Sequence, residues 1–90
     1  MHRREARYLL LRKMAEYRRY PYAHLLQKVD QQPDCFELEG ASGTVYQVEV
    51  EVFWDSVPGG ALRISAAVDD GCWRAICPLG YSFLATPDSA

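Results

Sequence analysis

Apolar residues recur at helical spacing near the start of the chain, in a stretch of good helix formers that contains neither Gly nor Pro. The residues that mark this face are Ala6, Leu10, Met14 and Tyr17. Their spacing of four, four and three predicts an amphipathic helix from Arg3 to about Arg19. Leu9 and Leu11 would widen its apolar stripe.

Pro21 interrupts this pattern, because it lacks a backbone N–H and pushes Tyr20 out of helical geometry. Proline is well suited to the first position of a new helix. We therefore expect a short second helix from Pro21 to about Val29, with Leu25 and Leu26 buried.

After Pro33 the hydrophobic period changes to two, which is typical of strands with one buried face. The clearest run is TVYQVEVEVFWD. Its predicted inward side chains are Tyr46, Val48, Val50, Val52 and Trp54. The segments CFELEG, ALRISAAVD and CWRAIC alternate in the same way and predict three further strands, the last at Cys72 to Cys77.

Turn signals connect these strands as antiparallel neighbours. The loop Ala41 to Gly43 predicts a three-residue hairpin, and Pro58 followed by Gly59 fits a type II turn. The residues set opposite each other are Phe36 and Val48, Leu38 and Tyr46, Trp54 and Leu62, and Val52 and Ile64.

The pair Asp70-Gly71 predicts a two-residue hairpin that sets Val68 opposite Trp73. Asp70 and the adjacent Asp69 also fit a metal or acid–base site. The turn interpretation is favoured, because a calcium loop needs several more oxygen ligands at fixed spacing.

These elements predict one α+β domain of 90 residues with two layers. Residues 1–30 are helical, 34–78 form a four-stranded antiparallel meander and 79–90 form a C-terminal tail. The apolar stripe of the N-terminal helix, with the short second helix beside it, packs on the one hydrophobic face of the sheet.

Charge is distributed unevenly along the chain. Residues 1–28 carry eight basic side chains and two glutamates, a net charge of +6, whereas the remainder carries −8. The basic helix is a candidate for nucleic-acid binding, and the arginines that would contact phosphate are Arg3, Arg4, Arg7, Arg12, Arg18 and Arg19. The pI of about 5.6 and the acidic strands weigh against this hypothesis.

No set of residues predicts catalysis, a metal site or a cofactor. The three cysteines include no C-x-x-C pair, and neither His2 nor His24 lies in a catalytic motif. Cys35 and Cys77 are interpreted as small core residues. The odd number of cysteines and the lack of a long apolar run predict a reduced, cytoplasmic protein without a membrane span.

The outward face of the predicted sheet carries apolar and arginine side chains side by side. Aromatic residues and arginine are enriched at the centres of protein interfaces. We therefore expect a non-enzymatic interaction or regulatory module, with a protein partner or a second copy bound at Phe53, Arg63, Arg74 and Ile76. A small-ligand or enzymatic site near Trp54 and Asp55 is a third hypothesis, based only on tryptophans beside polar loops.

The segment from Val48 to Leu79 contains the motifs FWD, PGG, LRI, DDGCWRA and PL. In these motifs it resembles a small bacterial protein family that is uncharacterised. The resemblance implies a domain built from a helix and a meander. It implies no activity, ligand or catalytic residue.

Overall fold

A computed structural model describes residues 2–69 and 79–87 of the chain. Helix α1 spans Arg3–Arg18 and helix α2 spans Tyr22–Leu26. The strands are β1 (Asp34–Glu39), β2 (Val45–Trp54), β3 (Leu62–Asp69) and β4 (Leu79–Ala85). They form one antiparallel sheet in the order β1-β2-β3-β4. The predicted α+β architecture, with a helix, a short second helix and a four-stranded meander, is confirmed.

The first two hairpins have the predicted register. Phe36 lies opposite Val48 in the first hairpin, and Trp54 lies opposite Leu62 in the second. Gly43 closes the first loop at φ 89°, a left-handed conformation that glycine adopts without steric cost. In the second loop the turn is closed by a 3.1 Å hydrogen bond from Gly60 N–H to the carbonyl of Val57.

The fourth strand lies later in the chain than predicted. β3 pairs with β4 so that Val68 lies opposite Leu79 and not Trp73. Residues 79–85 therefore form a strand where a C-terminal tail was expected. The predicted strand at 72–77 and its Asp70-Gly71 turn lie outside the described residues.

Two properties of β4 explain why this segment pairs with β3. Its sequence LGYSFLA also alternates, and the burial of its side chains alternates accordingly. Its inward aromatic residues, Tyr81 and Phe83, pack against the core beside α1. Local alternation qualifies this segment as a strand, and the contacts of its inward side chains with the rest of the domain favour its place beside β3.

The core lies between α1 and the inner face of the sheet. The predicted stripe is buried, and so are the inward side chains of β2 and β3. Leu11 and Leu26, however, are exposed at 42% and 38%. Each lies one residue from a buried leucine, and one residue turns a helix by about 100°, which carries the side chain away from the core.

Cys35 was also expected in the core and is exposed. It alternates with Phe36 on β1, and Phe36 is the residue that points inward. Cys77 lies outside the described residues.

The second helix is shorter than predicted, and Pro21 precedes it as the N-cap. After Leu26 the backbone continues with tighter turns, in which Lys28 and Val29 bond to carbonyls three residues earlier. Asp30 then adopts φ 65° and directs the chain into β1.

The start of α1 is fixed to the first hairpin by Glu5. Its carboxylate accepts hydrogen bonds from Ser42 N–H at 2.7 Å, from Ser42 Oγ at 2.6 Å and from Tyr46 Oη at 2.8 Å. The bonds from Ser42, supplemented by the one from Tyr46, lower the pKa of Glu5 to about 2. Burial and the bond to Glu5 raise the pKa of Tyr46, so the phenol stays a proton donor.

Candidate interaction surfaces

The outer face of the sheet points away from both helices, and no described element covers it. Phe53, Arg63 and Leu84 form one row across β2, β3 and β4, because Phe53 pairs with Arg63 and Arg63 pairs with Leu84. Phe53 is 41% exposed and Leu84 is 49% exposed. The structure therefore places two exposed apolar side chains on either side of an arginine.

Arg63 is held in position within this row. Its Nε donates to Asp55 Oδ1 at 2.8 Å, and its NH1 group donates to Ser82 Oγ at 3.0 Å. The carboxylate that Arg63 contacts thus belongs to Asp55, in the loop that follows β2. These two directed contacts hold the planar guanidinium in place within the row that Arg63 forms with Phe53 and Leu84.

Two of the four predicted partner-binding residues, Phe53 and Arg63, therefore lie together on the outer face. Arg74 and Ile76 lie outside the described residues. Leu84 was missed by sequence reasoning, because 79–90 was interpreted as a tail. The alternation in YSFLA would have identified it, since Leu84 occupies an outward position between Phe83 and Ala85.

The rest of the outer face is acidic on β1 and β2 and carries small side chains on β3 and β4. The exposed carboxylates of β1 and β2 are Glu37, Glu39, Glu49 and Glu51. The outward residues beside them on β3 and β4 are small, and they are Ser65, Ala67, Gly80 and Ser82. This arrangement forms a shallow trough with a negative wall, closed at one end by the row of Phe53, Arg63 and Leu84.

Two basic residues of α1 contact aromatic rings of the sheet. The guanidinium of Arg18 lies 4.4 Å from the ring centroid of Phe83 and 5.6 Å from that of Tyr81, and it also donates a hydrogen bond to Tyr81 Oη. On the other side of the helix, Lys13 Nζ lies 4.0 Å from the Phe36 ring centroid. These two cations attach α1 to β4 and to β1.

A second stripe of α1 points directly away from the core. Its apolar members are Tyr8, Leu11 and Ala15, with Tyr8 60% exposed. Its basic members are Arg4, Arg12 and Arg19, all exposed. The guanidinium of Arg12 lies 5.6 Å from the Tyr8 ring centroid. All six arginines proposed for phosphate contact are exposed, and one of them, Arg18, also contacts the sheet.

Tyr17, Lys28 and Asp34 form a polar cluster where α1, α2 and β1 meet. Asp34 accepts hydrogen bonds from the hydroxyl of Tyr17 and, at 2.9 Å, from Lys28 Nζ. Burial opposes ionisation of Asp34, but these two donors outweigh it and lower its pKa. Burial and the bond to Asp34 raise the pKa of Tyr17. A neutral phenol and an ionised carboxylate in direct contact join the helices to the sheet.

A cavity of about 710 Å³ opens beside this cluster. It is lined by His24, three glutamines, Lys28, Asp34 and the edge of β2 near Val52. Neither Trp54 nor Asp55 contributes to its wall. Trp54 is half-buried against the core, and Asp55 binds Arg63. Both residues therefore make contacts within the fold.

Within residues 2–69 and 79–87, no three His, Cys, Asp or Glu side chains converge as a set of metal ligands. Neither of the two described helices is long and apolar enough to cross a bilayer.

No family model, curated protein or solved structure matches this chain. The resemblance carried by FWD, PGG, LRI, DDGCWRA and PL therefore stays a prediction.

Proposed function

We propose that this protein is an interaction module that binds another polypeptide through the outer face of its sheet. The observation that supports this proposal most directly is the row of Phe53, Arg63 and Leu84. Aromatic side chains and arginine are enriched at protein interfaces, where the aromatic rings bury area and the guanidinium makes directed contacts. Here an arginine already fixed by Asp55 loses little freedom when a partner covers it.

Site-specific photo-crosslinking tests the proposal. The protein would be expressed in its native host with benzoylphenylalanine at residue 53 or residue 84, and irradiated. We expect adducts of defined mass at both positions, because both side chains point to the face that the partner would cover. The matched control carries the same residue in place of Val57, which is 59% exposed in the loop between β2 and β3.

Adducts that form at residue 57 as readily as at 53 and 84 would contradict the proposal. The absence of an adduct at both 53 and 84 would contradict it as well. An adduct with a second copy and an adduct with a different protein both support it. The mass of the adduct distinguishes these two partners.

Nucleic-acid binding through α1 is a second candidate, supported by the separation of the two charged surfaces. The outward stripe of α1 lies on one side of the sheet, and the exposed glutamates of β2, Glu49 and Glu51, point to the other side. A helix is about 10 Å across, whereas the Debye length at physiological salt is about 8 Å. The carboxylates of the sheet therefore repel phosphate at α1 much less than the overall net charge indicates.

Titration of fluorescein-labelled single-stranded and duplex oligonucleotides against salt tests this candidate. Arg4→Gln together with Arg12→Gln should reduce the slope of log affinity against log salt by roughly two phosphate contacts. An affinity unaffected by salt, or equal in the wild type and the variant, would exclude α1 as the binding element.

A further inference from the structure

The described part of the chain carries two exposed surfaces of opposite charge, each of which includes exposed apolar residues. The outward stripe of α1 is basic around Tyr8 and Leu11, and the outer face of the sheet is acidic beside Phe53 and Leu84. We infer that the outer sheet face binds the outward stripe of α1 from a second copy of this chain, head to tail. The inference rests on the proposed function and names the partner of that surface.

Charge favours this partner over symmetric pairing of two sheets. A symmetric dimer places the same patch on both sides of the interface. Two outer faces would then bring Glu49 and Glu51 of one copy towards the same acidic surface of the other, with no described cation except Arg63, which is already bound to Asp55. The outward stripe of α1 instead presents Arg4, Arg12 and Arg19 to these carboxylates.

Shape leads to the same partner. Helix α1 has 16 residues and β2 has 10, which correspond to lengths of about 24 Å and about 33 Å. The side chains of Ser65 and Ala67 in the trough are small, so a helix can approach β3 closely there. Tyr8, Leu11 and Ala15 would lie along the trough, with the arginines beside the glutamates of β2.

This contact uses a different surface on each copy, so it does not close after two copies. Each added copy leaves one sheet face and one α1 stripe open at the ends. We therefore expect a weight-average mass that keeps rising with concentration beyond a dimer. It should fall when salt is raised from about 0.1 M to about 1 M, since the Debye length shortens from about 10 Å to about 3 Å.

Sedimentation of two complementary blocked variants tests the inference. Ser65→Gln with Ala67→Gln fills the trough with long neutral side chains and leaves α1 intact. Tyr8→Glu with Ala15→Glu places negative charge on the α1 stripe and leaves the sheet intact. Val57→Gln is the control outside both surfaces. Circular dichroism and the urea midpoint of each variant establish that it folds.

The expected result is that the wild type and Val57→Gln associate, whereas each blocked variant alone is monomeric. An equimolar mixture of the two blocked variants should form a heterodimer and nothing larger, because it restores one contact and leaves both ends blocked.

A wild type that stays monomeric at the highest concentration reached overturns the inference. A wild-type dimer also overturns it if only the trough variant disrupts the dimer and the mixture of the two variants does not restore it. Salt-dependent binding of a labelled oligonucleotide by a monomeric wild type would assign the α1 stripe to nucleic acid and also overturn it. The proposed function is tested separately, since a crosslink from residue 53 to a different protein supports it even when no second copy binds.

Discussion

The carboxyl group of Glu5 occupies the space in which a side chain at residue 40 would lie. A Cβ atom placed on Gly40 would be 2.7 Å from Glu5 Cγ and closer still to the carboxyl carbon. The glycine thus lets the first turn of α1 approach the end of β1. The same carboxylate binds Ser42 and Tyr46, so Gly40 and Glu5 together determine where the helix begins on the sheet.

Gly40→Ala should lower the free energy of unfolding by about 1–3 kcal/mol, since the added methyl group displaces Glu5. In a Glu5→Ala background the same substitution should cost little, because the three atoms nearest to the new methyl group all belong to Glu5. Urea unfolding of the two single variants and the double variant measures this coupling. An equal cost of Gly40→Ala in both backgrounds would show that the side chain of Glu5 is not the obstacle.

Acid should weaken the attachment of α1 within a defined pH window. The pKa of Glu5 is about 2 in the folded protein against an ordinary value of 4.5. A lowered pKa contributes stability that is present above about pH 4.5 and is lost as the pH falls towards 2. We therefore expect the difference in stability between wild type and Glu5→Gln to shrink across this window.

Urea midpoints at a series of pH values measure that difference. Glu16→Gln is the control, since Glu16 lies on the same helix and its contact is a 3.1 Å ion pair with Lys13 at the surface. A difference between wild type and Glu5→Gln that stays constant from pH 6 to pH 2 would contradict the prediction.

Arg18 and Arg19 should differ in their effect on stability although they are adjacent. Arg18→Ala should cost about 1 kcal/mol, because its guanidinium lies against Phe83 and Tyr81. Arg19→Ala should change stability by less than about 0.5 kcal/mol, as is usual for an exposed position. Chemical unfolding of both variants compares them, and an equal loss would mean that the contacts of Arg18 contribute nothing.

Leu25 and Leu26 make a second matched pair, in α2. Leu25 is 1% exposed and Leu26 is 38% exposed. Leu25→Ala should destabilise the domain by about 2–5 kcal/mol, and Leu26→Ala by no more than about 0.5 kcal/mol. Thermal or urea denaturation distinguishes the two. A large effect of Leu26→Ala on the monomer would show that α2 packs through a different face.

Much of the sheet was predictable because its signals are local. Alternation determines which side chains of β2 point inward, and a one-residue slip would expose all of them. Gly43 and Gly59 supply the positive φ angles that their loops require. These local constraints are sufficient to place Phe36 opposite Val48 and Trp54 opposite Leu62.

The candidate surfaces were only partly predictable. Alternation identified Phe53 and Arg63 as outward residues, but the interpretation of 79–90 as a tail hid Leu84. The helical period identified α1, yet it did not distinguish Arg18, which binds β4, from Arg4 and Arg12, which face solvent. Such distinctions depend on what packs beside a residue, and a periodic pattern contains no information on that neighbour.

The sequence by itself therefore determined the two helices and the first three strands of this protein, the buried face of β2 and β3 and the first two hairpins, since spacing and turn chemistry act between neighbouring residues. Only the tertiary structure decided that Leu79–Ala85 pairs with β3 and that the carboxylate of Glu5 fills the space above Gly40. These outcomes depend on contacts between residues far apart in the chain, where volume, charge and hydrogen bonding select one partner among several that the local pattern permits.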